Sequence, residues 1–114
     1  NQAFDGGAMK DEPRVYDAYA LYLARFVESY RAQGIDISMV VPQNEPGQLT
    51  HYPSCDWRPA QYVAFIRDHL GPTFRRRGLA TQIFVGTINR QDWDVFSVLK
   101  APGISTAVRN LKAC

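Results

Sequence analysis

Between residues 13 and 86 the spacing of apolar residues changes character repeatedly, and that alternation restricts the available folds more than any other feature of the chain. From Pro13 to Gln33, Tyr19, Leu23, Phe26, Val27 and Tyr30 recur at steps of three and four, the spacing of one face of an amphipathic helix. Pro13 stands near the first turn, where a missing N–H costs least, and Gly34 just past the end, where left-handed backbone is needed. The pattern then becomes the near-continuous apolar run of residues 35–41, IDISMVV, which predicts a strand covered on both faces and hence a parallel sheet. A polar loop from Asn44 to Arg58 leads to a second helix opened by Pro59, with Tyr62, Phe65, Ile66 and His69 on one face, kinked at Gly71-Pro72 and stopped at Gly78. Residues 81–86, TQIFVG, predict another strand, and residues 94–100, DVFSVLK, a third, shorter helix. Such alternation with short connections marks right-handed β/α units, in either a (β/α)8 barrel or an open doubly wound sheet. No GxGxxG follows either strand, so a dinucleotide-binding version has no support.

The 114 residues amount to one ordinary domain, and a 46% hydrophobic content is enough for a real core. Thirteen Lys and Arg against 11 Asp and Glu leave a net charge of +2, too small and too scattered to predict nucleic-acid or membrane-surface binding. The one basic run, Arg75 to Arg77, falls where a helix should end and reads as a solvated cap facing the negative end of the helix dipole. Cys55 and Cys114 are too few for a disulfide framework and lack metal-knuckle spacing. No apolar run approaches the roughly 20 residues of a membrane helix, so no stable membrane insertion is expected. The opening NQAFDGG is neither an initiator Met nor a signal sequence, and reads as the interior of something longer.

The residues with chemistry gather where the first strand ends. In a β/α barrel, groups at the C-terminal ends of strands point into the site whatever the reaction, and Asn44 and Glu45 occupy that position. Pro46 cannot extend a central strand and biases Glu45 toward extended backbone, holding the acid at a fixed height, where a partly desolvated carboxyl could donate a proton. By spacing alone, the same residues serve equally well as the opening of a turn, since Asn and Pro are common turn residues.

The run PQNEP (42–46), then YPSCDW (52–57), then a helix containing FIRDHLGP (65–72) and a short strand resembles the barrels of glycoside hydrolase family 30, the glucosylceramidase-like enzymes. Asn1, Gly6-Gly7 and Met9-Lys10 resemble that family's loop after the third strand, and the likeness runs from Asn1 to about Val108. The resemblance implies a fragment of a TIM barrel, about strands 4 and 5 with flanking helices, with residues 1–114 as part of one catalytic domain. It implies Glu45 as general acid/base and Asn44 as the contact to the hydroxyl beside the anomeric carbon, in a retaining mechanism that needs no cofactor and no metal. Retention requires a second carboxyl roughly 5–5.5 Å away as nucleophile. The family's nucleophile is a second Glu at the end of the seventh strand, and neither Glu12 nor Glu28 matches it. A complete barrel takes about 250 residues, so the chain is expected to hold under half of one. Where a Gly-rich, aromatic sixth strand is expected after the AVR turn, the sequence departs to NLKAC.

The implied substrate is a β-linked glycoside or glycolipid, a glucosylceramide-like β-glucoside first and a β-xylan, β-1,6-glucan or fucoside second. A non-catalytic carbohydrate-binding module is the alternative from another class. Trp57 and Tyr52 fall in the loop where glycosidases place aromatic platforms for sugar rings, with packing on the rim as the alternative. Asn89, just past TQIFVG, is at the end of the strand from which it can approach substrate or cap the next helix. His69 reads as a hydrogen-bonded core residue, and Arg58 replaces a Thr-like helix cap. The family implies export or a lysosomal location. Unpaired strands in an incomplete barrel lead to an expectation of self-association.

Overall fold

The computed structural model describes residues 6–48, 50–85, 101–102 and 111–112. Its elements are β1 (Gly7–Ala8), α1 (Pro13–Ala32), β2 (Met39–Val40), β3 (Cys55–Asp56), α2 (Pro59–Ala64), a π-helical stretch (Phe65–Leu70), α3 (Gly71–Arg76), β4 (Gln82–Phe84) and β5 (Leu111–Lys112). The main sheet has the order β2-β4-β5 and is parallel throughout, with Met39 opposite Gln82, Val40 opposite Ile83, and Ile83 opposite Leu111. Parallel strands require crossovers, and the α2–α3 segment is the one between β2 and β4. The apolar pattern predicts two strands in this sheet; the backbone at Leu111–Lys112, inside the departing NLKAC, supplies a third. The predicted helix at 94–100 lies outside the described residues.

Helix α1 begins and ends as its sequence dictates. Pro13 is at its first turn, and Gly34 closes it with φ +79°. Ile35 N–H donates to the Tyr30 carbonyl at 3.0 Å and Gly34 N–H to that of Arg31 at 3.0 Å, the paired bonds of a Schellman ending. The same pair closes α3, from Leu79 to Phe74 and from Gly78 to Arg75. The expected apolar face is rotated: Tyr16, Ala20, Leu23, Ala24 and Val27 are buried, while Phe26 and Tyr30 are 40% and 42% exposed. Two alanines at 0% exposure allow close approach of the second helical segment, an advantage that counting large apolar residues misses.

The helix runs on through Gly71-Pro72, and a π-helical stretch, Phe65–Leu70, precedes the site of the expected kink. Backbone at Phe65, Leu70 and Gly71 stays right-handed helical, and Gly71 N–H reaches back five residues to the Ile66 carbonyl. Pro72 has no N–H and would press on the carbonyl four residues earlier, so widening the preceding turn accommodates it without a break. The widened turn buries Phe65, Ile66 and Leu70 completely.

Strand β2 is not covered on both faces as expected: Val40 is buried, but Met39 is 48% exposed. Ile35, just before it, is 51% exposed.

Arg77, expected only as part of a solvated cap, forks onto Glu28 of α1 with both bonds at 2.7 Å. The hydrogen bonds from Arg77 hold the Glu28 carboxyl below its usual range. A depressed carboxylate adds stability that is full above its unfolded value and is lost as pH falls through the folded one. Replacing Glu28 with Gln is therefore expected to flatten the acid limb of a Tm-against-pH curve below about pH 4 and change little near neutrality. The Arg67–Asp68 pair, whose carboxyl is also lowered, remains as the residual slope.

Candidate functional site

A second pair of parallel strands organises the loops around Glu45. β1 pairs with β3, Gly7 opposite Cys55 and Ala8 opposite Asp56, extended by Gly7 N–H to the Ser54 carbonyl and Met9 N–H to that of Asp56, each 3.1 Å. This ties the segment before α1 to the YPSC stretch. Gln61, third residue of α2, turns its carboxamide oxygen back to the Arg58 N–H at 3.2 Å and to Arg58 Nε at 3.1 Å. A guanidinium has no acceptor, so the Thr-like cap is lost as expected; Gln61 and Pro59 stabilise the start instead. Arg58 also meets Asp11 at 2.6 Å, an exposed pair worth about 0–1 kcal/mol.

Glu45 follows β2 at the C-terminal end of the sheet. Its φ is +48°, not the extended backbone expected before proline. Left-handed backbone at a non-glycine residue costs about 1–3 kcal/mol and persists only where surrounding contacts enforce it. They are visible here. The Glu45 carbonyl accepts from Gln48 N–H at 2.9 Å, closing a turn with Pro46 at its second position. Pro46 is fully buried, and its carbonyl accepts the Trp57 backbone N–H at 2.7 Å. Glu45 and Asn44, with Gln43, Gln48, Thr50, Tyr52, Pro53 and Ser54, line a cleft of about 90 Å³. Small-molecule sites usually measure about 300–1,000 Å³, so these residues form one wall of a site rather than a whole one.

Trp57 requires a correction. Its indole is 1% exposed, so no sugar ring can lie on it. It sits in an aromatic box, with ring centres 6.1 Å from Tyr16, 5.2 Å from Tyr62 and 5.2 Å from Phe65. The exposed ring of this loop is Tyr52, at 65%, on the cleft beside Glu45. Asn89 lies outside the described residues. His69 is half-buried at the helix seam, with Nδ1 2.7 Å from Asp17, close to the hydrogen-bonded core role expected of it.

Tyr19 is legible in the sequence only as a core position on α1. Its hydroxyl donates to the Pro42 carbonyl, and its ring stacks on Phe65 at 5.3 Å. Burial pushes its hydroxyl up to about 12, with Cys55 and Tyr22 adding to the effect, so it remains a donor across the physiological range. Burial also raises the Cys55 thiol, leaving it in the less reactive protonated form. No described helix is long and apolar enough to cross a membrane.

No protein-family model matches the chain. A Caenorhabditis elegans protein named "Putative glucosylceramidase 3" is 33% identical over 85 residues, 70% of this chain and 16% of that protein. Among solved structures, an endo-β1,6-glucanase superposes over 100% of this chain and 26% of its own, with a TM-score of 0.79 at 24% identity, a likeness of fold. A glycoside hydrolase family 30 subfamily 8 xylanase from Clostridium acetobutylicum matches 90% of this chain and 26% of its own, with a TM-score of 0.66 at 25% identity. The chain thus spans about a sixth of its first curated relative and about a quarter of these barrel enzymes. With the Asn-Glu-Pro turn placed after a parallel strand, these likenesses identify the chain as a partial domain of glycoside hydrolase family 30.

Proposed function

We propose that the chain is a piece of the catalytic barrel of a retaining β-glycosidase, about strands 4 and 5 and their helices, with Glu45 as its general acid/base. The observation that supports this most is a carboxyl-bearing residue just beyond a parallel strand, held in left-handed backbone by a buried proline turn. In the first step Glu45 gives its proton to the leaving oxygen, and in the second it takes one from the water that releases the sugar. Asn44, exposed beside it, donates to the hydroxyl next to the anomeric carbon, a contact that tightens as positive charge develops. Tyr52 offers an exposed ring for stacking, and Asn89, just past the TQIFVG run in the sequence, is a further candidate for substrate contact. The nucleophile is a second Glu on a later strand of the barrel, outside residues 1–114, and the family likeness favours action outside the cytoplasm.

The named C. elegans relative favours a glucosylceramide-like β-glucoside as substrate. The glucanase and xylanase neighbours favour a second reading, a β-1,6-glucan or β-xylan. The stereochemical claim is tested by following the product anomer by proton NMR as the full-length protein cleaves a β-linked substrate. The β-anomer is expected first; initial release of the α-anomer would overturn retention.

A further inference from the structure

We propose that Tyr19 and Trp57 are positioning residues for Glu45, clamping the Pro42–Pro46 segment at both ends so that Asn44 and Glu45 are held at one height above the sheet. This rests on the assignment of Glu45 as the acid/base and adds two groups that act through its backbone.

A proline has no N–H, so its carbonyl is its only main-chain hydrogen-bonding group. Both prolines of PQNEP use that group toward the same part of the core. The Tyr19 hydroxyl donates to the Pro42 carbonyl, and the Trp57 backbone N–H donates to the Pro46 carbonyl at 2.7 Å. Both prolines are buried, whereas Asn44 is exposed and Gln43 and Glu45 are half-buried. The ends of the segment are thus anchored inside, and its chemistry faces out. The two donors belong to one packed unit: Tyr19 and Trp57 each contact Phe65, with ring centres 5.3 Å and 5.2 Å away, and lie 6.4 Å from each other. A shift in this unit moves both ends of the segment together, and the left-handed Glu45 backbone between them has little freedom to compensate.

The clamp matters because displacing a catalytic group by about 1 Å can cost about a hundredfold in rate. Tyr19→Phe keeps the ring and removes only the hydroxyl. In the full-length protein it is expected to lower kcat about tenfold on a substrate with a poor leaving group, with KM changed less than about twofold. Amide exchange at Asn44, Glu45 and Gln48 should quicken about tenfold. In an E45Q background Tyr19→Phe should add no further loss, because the group it positions is already disabled. Trp57→Phe, which keeps the backbone donor but fills the box less tightly, should give the same pattern from the other end. Equal losses in both backgrounds would reduce Tyr19 to a structural residue and overturn the proposal. Unchanged exchange in Tyr19→Phe alongside an impaired E45Q protein would overturn the clamp alone. Full activity in E45Q would overturn the acid assignment and the catalytic sense of the clamp with it.

Discussion

Glu45→Gln in the full-length protein is expected to lower kcat/KM about 10²–10⁴-fold on substrates whose leaving group needs a proton. An activated aryl glycoside, whose leaving oxygen departs as a stable anion, should lose far less in its first step. The contrast between the two substrates is the informative measurement, because misfolding would depress both alike. The carboxamide matches the carboxyl in size, and the backbone carbonyl of residue 45 still accepts the Gln48 N–H, so the variant should fold. Full activity on both substrates would remove Glu45 from the mechanism.

Trp57→Ala is the second large effect, and it acts on the fold. The indole is 1% exposed and meets Tyr16, Tyr62 and Phe65, so its removal leaves a cavity walled by aromatic rings that cannot collapse freely. Truncating a buried Trp costs about 3–5 kcal/mol, a large share of the roughly 5–15 kcal/mol of a typical domain. The expected reading is a strongly lowered urea midpoint, or loss of soluble protein. A cost below about 0.5 kcal/mol is what an exposed side chain gives, and would contradict its place in the core.

Helix ends are legible in the sequence because single residues decide them. Gly34 and Gly78 mark the Schellman endings, and Pro13 and Pro59 the starts. The burial pattern of α1 is less so, since Ala20 and Ala24 pack by being small and a count of large apolar residues points to Phe26 and Tyr30 instead. The π-helical turn is hidden as well: Gly71-Pro72 reads as a kink, and nothing in the spacing says that the turn before it widens. At the candidate site, the position of Glu45 after the first strand can be read from spacing, but its left-handed backbone cannot. That conformation is held by the turn that Gln48 closes and by the Trp57 N–H on the Pro46 carbonyl, and the second of these is a tertiary contact that spacing does not reveal. The burial of Trp57 is hidden for the same reason, because a loop aromatic faces solvent or core according to packing, and Tyr52 shows the other outcome five residues earlier.

The all-parallel order of β2, β4 and β5 also governs how such a chain comes together in time. Each rung joins segments on opposite sides of a long intervening stretch, Met39 to Gln82 and Ile83 to Leu111, so no part of this sheet forms from near neighbours. The entropy of closing those loops is spent before any pairing rewards it, which slows folding relative to a helical bundle. On a ribosome, α1 with its glycine ending can form as soon as it emerges, while the rung between Met39 and Gln82 has to wait for β4.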